Sequence, residues 1–112
     1  MSDAKSFLKA MGNRILLRRR ELNLTQEQLA EKAGISYQIV SSAERGAKAI
    51  RPENLVKISI ALDISTDYLL TGIMGESERL SIAKNIDQLS PTQLSIINEI
   101  IESTIKLCLD NK

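Results

Sequence analysis

Residues 24–46 read LTQEQLAEKAGISYQIVSSAERG. Thr25 is followed three residues later by Gln28, the capping-box spacing in which a hydroxyl and an amide satisfy each other's backbone N–H groups, so a helix opens at Gln26. Gly34 ends it after barely two turns. Ser36 caps a further helix from Tyr37 to Arg45, and Gly46 closes that one as a left-handed C-cap. Only Gly34-Ile35-Ser36 separates the two helices, a turn too short for them to lie antiparallel, so they are expected to cross steeply. Small Ala30 falls where they approach most closely, Gly34 falls where the turn needs positive φ, and Leu29, Ala33, Ile35, Val40 and Ala43 take the inward positions. One glycine between two helices is ordinary, but seven positions agreeing within twenty residues are specific.

Working outward, Phe7 to Leu22 places Leu8, Met11, Ile15 and Leu22 on one face with Lys and Arg between them, which predicts an amphipathic helix. Arg14, Arg18, Arg19 and Arg20 crowd into that segment, and such a run, taken alone, reads as a solvated face. The whole chain has a net charge of only +1. The average conceals an asymmetry: up to Gly72 there are eleven Lys and Arg against eight Asp and Glu, and beyond it four against six. Thr71-Gly72-Ile73-Met74-Gly75 is the stretch where two glycines flank a break in the helical pattern, and it divides the chain into residues 1–72 and 73–112.

Composition bounds the rest. At 112 residues there is room for one small domain with an appended element. Aromatic residues make up 3% of the chain and Trp is absent, so Leu, Ile, Val and Ala must build the core, which suits an all-α fold. No histidine and one cysteine remove the usual general base, the Cys-His nucleophile pairs and nearly every zinc-ligand set, so neither an enzyme nor a metal or other cofactor is expected. Cys108 cannot form an intramolecular disulfide and reads as a small helical hydrophobe. No secretory signal, targeting peptide or 18-residue apolar span is evident, so a reducing cytoplasm rather than a membrane is the expected location.

Through residues 24–30, Gly34-Ile35-Ser36 and Glu44-Arg45-Gly46, the chain resembles the phage repressor and Cro family, the lambda-repressor-like helix-turn-helix DNA-binding proteins. Arg51-Pro52-Glu53-Asn54-Leu55, Ala61-Leu62-Asp63-Ile64-Ser65 and Asp67-Tyr68-Leu69-Leu70-Thr71-Gly72 are similar to the family's fourth and fifth helices. The resemblance covers roughly residues 11 to 72. It implies a five-helix domain that places the helix starting at Tyr37 in the major groove of double-stranded DNA. Tyr37, Gln38, Ser41 and Ser42 are then the base-contacting candidates, Gln38 foremost because its amide can donate to and accept from adenine at once. Gln26 is implied as a phosphate contact, joined by Thr25, Ser36, Arg45, Lys48 and Arg51 around the same backbone. Arg19 is implied to pair with Glu44 as a structural fastening rather than a DNA contact. Two departures stand out: Ala43 is smaller than the family's usual residue there, and Leu16 and Leu17 fall where charge is commoner, possible cover for a contact with the C-terminal segment or stray surface leucines.

The C-terminal segment predicts a short helix from about Glu78 to Gln88, carrying Leu80, Ala83 and Ile86. Ser90-Pro91-Thr92-Gln93 supplies a cap, a proline at the first helical position and a capping-box Gln, opening a helix that runs to about Asp110. Leu94, Ile97, Ile101, Ile105, Cys108 and Leu109 fall in one sector, with Ile96, Ile100 and Leu107 beside it, an apolar arc of about 220°. That exceeds what one domain needs, so a partner is expected, most simply an identical chain about a two-fold axis, against the alternative of a helix sunk in a larger monomer core. The reading is a homodimeric, sequence-specific transcriptional regulator, a repressor of a palindromic operator, open to a protein antagonist that acts on the C-terminal helices. The alternatives are an antitoxin-like protein whose C-terminal helices neutralise a partner, and a helix-turn-helix kept only as a bridging module.

Overall fold

The computed structural model describes residues 2–110, apart from the side chains of Ser2 and Ser77. The elements are α1 (Ser2–Glu21), α2 (Gln26–Ala33), α3 (Tyr37–Arg45), α4 (Pro52–Leu62), α5 (Thr66–Thr71), α6 (Glu76–Asp87) and α7 (Pro91–Asp110), with no strand among the described residues. They divide into two units, the first ending at Gly75 and the second beginning at Glu76. No helix of the described residues is long and apolar enough to cross a membrane.

The core of the first unit draws on all five of its helices: Met11 and Ile15 from α1, Leu29 and Ala30 from α2, Val40 and Ala43 from α3, Leu55, Ile58, Ala61 and Leu62 from α4, and Leu69 from α5 are buried. Leu8, Leu22, Ala33 and Ile35 pack against that cluster. These side chains recur at three- and four-residue spacing, so each helix presents one stripe inward. The first helix begins earlier than the expected Phe7. Nothing between residues 2 and 6 breaks a helix, Asp3 lies in the first turn where the helix dipole favours an acid, and Phe7 itself is half exposed. Of the two departures, Leu16 is half-buried and Leu17 exposed.

The arginine run on α1 is only in part a solvated face, since Arg20 alone of the four is exposed. Arg14 Nη1 donates to the Leu69 carbonyl at 2.9 Å and Arg18 Nε donates to the Leu62 carbonyl at 2.9 Å. Both carbonyls lie in the last turns of α5 and α4, where no intrahelical donor is available. The two guanidinium groups therefore act as caps supplied from another helix.

Gly12 marks the close approach of α1 to the end of α3. A Cβ at Gly12 would sit 2.3 Å from the Ala43 carbonyl oxygen and 2.6 Å from that of Glu44. Backbone meets backbone at this crossing, which leaves no room for a side chain at position 12. Gly12→Ala should push α1 off α3 and cost about 1–3 kcal/mol, as overpacking does. Urea unfolding checks it, and an unchanged midpoint would mean that the two helices are free to separate.

In the second unit, α6 starts at Glu76, earlier than the expected Glu78, with Glu76 and Glu78 both in the first turn where negative charge is favoured. It ends at Asp87 rather than Gln88. At the start of α7, Gln93 N donates to Ser90 Oγ at 3.2 Å and Ser90 N donates to Gln93 Oε1 at 2.9 Å, closing the capping box ahead of Pro91. No described residue of α7 is buried. Leu94, Ile97, Ile100, Ile101 and Ile105 are between 36% and 56% exposed, and Cys108 is exposed.

Candidate nucleic-acid interface

The turn between α2 and α3 is set by hydrogen bonds. Gly34 takes φ 71°, its N–H donates to the Glu31 carbonyl, and Ile35 N donates to the Ala30 carbonyl at 3.0 Å. That pairing closes α2 as a Schellman motif, and the left-handed φ is why glycine stands there. The chain is then extended at Ser36, whose Oγ accepts from Ile39 N at 3.4 Å and opens α3. A backbone reversed in this way holds α3 across the end of α2.

On α3 the sides are sorted by burial. Val40, Ala43 and Glu44 are buried, whereas Tyr37 and Gln38 are exposed and Ser41 and Ser42 are half-buried. At 100° per residue these four share an arc of about 140° that excludes Val40 and Ala43, with Tyr37 at its edge beside Glu44. The structure thus brings together all four base-contacting candidates on one helix face.

The phosphate candidates are more scattered in their circumstances. Thr25 Oγ1 accepts from Gln28 N at 3.0 Å and Thr25 N donates to Gln28 Oε1 at 2.8 Å, so the hydroxyl caps α2 while its own proton is left to donate. Ser36 Oγ likewise caps α3 by accepting from Ile39 N, without a return bond because Ile39 has no side-chain acceptor. Arg45 lies back along its own helix, with Nε donating to the Ser41 carbonyl at 3.2 Å. Lys48 and Arg51 are exposed on the segment between α3 and α4. Gln26 differs from the rest: it is half-buried, and its Nε2 donates to Glu44 Oε1 at 2.9 Å.

Arg19 and Glu44 form a bidentate pair. Arg19 Nε donates to Glu44 Oε2 at 2.6 Å and Nη2 donates to Glu44 Oε1 at 3.0 Å, while Nη1 donates to the Leu24 carbonyl at 2.8 Å. The hydrogen bond to Glu44 holds the Arg19 guanidinium above its ordinary pKa against the opposing effect of burial. Sequence reasoning did not find the bond from Gln26 to Glu44, nor the use of Arg14 and Arg18 as caps. Their partners lie 18, 55 and 44 residues away, two of them backbone carbonyls, and no local spacing signals such contacts.

A helix-turn-helix family model matches residues 15–69, which hold α2, α3 and α4 entire. The transcriptional repressor RstR of the cryptic phage CTXphi of Vibrio cholerae is 35% identical over 94 residues, spanning 82% of this chain and 84% of that protein. The chain belongs to the phage-repressor-like helix-turn-helix family. That family consists of DNA-binding transcriptional regulators rather than enzymes. The repressor protein C2 of Salmonella phage P22 is 39% identical over 67 residues, 60% of this chain and 31% of that protein, so the likeness spans less than a third of the phage protein. The crystal structure of the P22 c2 repressor in complex with synthetic operator 9T matches at TM-score 0.54 with 41% identity, covering 56% of this chain and 96% of the phage fragment. The SinR–SinI protein complex matches at TM-score 0.54 and 28% identity, covering 86% of this chain and 98% of that one.

Proposed function

We propose that the protein is a cytoplasmic repressor that binds a palindromic operator as a homodimer. The observation that carries this reading is the outward face of α3, where Tyr37, Gln38, Ser41 and Ser42 stand together on a unit similar to a repressor crystallised on its operator. These four side chains contact base edges, and Thr25, Gln26, Ser36, Arg45, Lys48 and Arg51 hold the sugar-phosphate backbone on either side. One such helix reads only a few base pairs. Two copies joined through Leu94, Ile97, Ile100, Ile101, Ile105 and Cys108 of α7 read half-sites about one helical turn apart. Occupying such a site beside a promoter blocks polymerase.

A second reading concerns control. The exposed apolar face of α7, together with the likeness to SinR in complex with SinI, supports a protein antagonist that binds the C-terminal helices in place of the second copy.

Enrichment from a pool of random-sequence duplexes tests the proposal. The expected product is an inverted repeat with half-site centres about 10 base pairs apart. A pool that stays random through successive rounds would overturn the reading. With the selected duplex in hand, Gln38→Ala should lose about 1–3 kcal/mol of discrimination at a single base pair in each half-site while leaving other positions unchanged. Competition binding against single-base variants reads this directly.

A further inference from the structure

Glu44 has the most enclosed carboxylate in an ion pair of the first unit, its side chain 1% exposed. Arg19 does not use it alone. Oε2 accepts from Arg19 Nε, whereas Oε1 accepts from both Arg19 Nη2 and Gln26 Nε2. An amide nitrogen carries two hydrogens, so with one held by Glu44 the other hydrogen and the amide oxygen keep a fixed direction. Glu44 is the penultimate residue of α3 and Gln26 the first of α2. One hydrogen bond thus ties the base-reading helix to the residue proposed to grip a phosphate.

We infer that Glu44 is a positioning residue for DNA recognition, orienting the Gln26 amide so that the phosphate contact of α2 keeps a fixed register with the base-contacting face of α3. This rests on the operator-binding reading. A glutamine free to rotate would have to be ordered on binding, whereas this one is ordered beforehand, and that is what lets a backbone contact sharpen a base contact. Glu44 touches no DNA in this scheme and acts through Gln26.

The test uses the whole chain and the selected duplex, with single phosphates replaced one at a time by neutral methylphosphonates. Wild type is expected to lose about tenfold in affinity at one phosphate per half-site, and Gln26→Ala to be insensitive there. Glu44→Gln should lose the same sensitivity, and in the Gln26→Ala background it should change affinity by less than about twofold. Equal losses from Glu44→Gln in both backgrounds, with the phosphate sensitivity intact, would overturn the inference. A second measurement needs no Glu44 variant: nitrogen relaxation of the Gln26 side-chain amide in DNA-free wild type. It should show an order parameter near 0.85, typical of rigid backbone, while exposed Gln38 falls below about 0.6. Equal mobility of the two amides would also overturn the inference. If wild type shows no preference for the selected duplex, the operator reading itself fails, and the relaxation result still decides whether Glu44 holds Gln26.

Discussion

Glu44→Ala is expected to lower the stability of the first unit by about 3–5 kcal/mol, because it strands the Arg19 guanidinium among buried groups without its counter-charge. Arg19 is itself only 11% exposed, and its two bonds to Glu44 are its sole ion pair among those found in the described residues. Gln26 loses its acceptor in the same substitution. Domains of this size have roughly 5–15 kcal/mol in total, so the variant should melt at least about 12 °C lower and be partly unfolded at 37 °C. Thermal unfolding followed by circular dichroism checks this. Arg19→Ala should cost a similar amount, and the double variant much less than the two single losses together. A loss below about 1 kcal/mol for Glu44→Ala would show that the pair behaves as an ordinary surface salt bridge.

Charge on the α7 stripe should have the largest effect on function. Ile97, Ile101 and Ile105 recur at four-residue spacing and lie between 36% and 54% exposed. Ile101→Lys places an ammonium at the middle of the proposed dimer seam, where it would be desolvated without a partner. The expected result is a monomer by sedimentation, with an unchanged melt of the first unit. Two half-sites held by linked recognition helices bind about 10²- to 10⁴-fold more tightly than one, so affinity for the full palindrome should fall by a factor in that range. Affinity for an isolated half-site should not change. A variant that stays dimeric, or a monomer that binds the palindrome as wild type does, would remove α7 from the account.

The helix-turn-helix was legible in the sequence because its signals are local. Thr25 with Gln28, Gly34, Ser36 and Gly46 each act on backbone within four residues, and their spacing alone places both helices. The capping box at Ser90 was legible for the same reason. The start of α1 was not, since nothing there marks a boundary and only the apolar stripe from Leu8 onward could be read. The arginines show the limit more sharply. Four similar residues within seven positions look alike in sequence, yet Arg14 and Arg18 cap distant helices, Arg19 locks Glu44, and Arg20 faces solvent. Which of them serves the fold depends on which carbonyl or carboxylate the tertiary packing delivers. Gln26 belongs with them, because its position at the head of α2 was plain and its bond to Glu44 was not.

The most direct measurement is fluorescence anisotropy of the intact chain against the selected palindrome and a scrambled duplex, titrated in salt. On the proposed reading, three cationic candidates, Arg45, Lys48 and Arg51, act in each half of a dimer, so the logarithm of the affinity should fall against that of salt with a slope of about −5. The palindrome should bind at least about 10³-fold more tightly than the scrambled duplex at physiological salt. Equal, weak binding to the two duplexes would contradict the account, and the function would then have to be sought in the C-terminal helices.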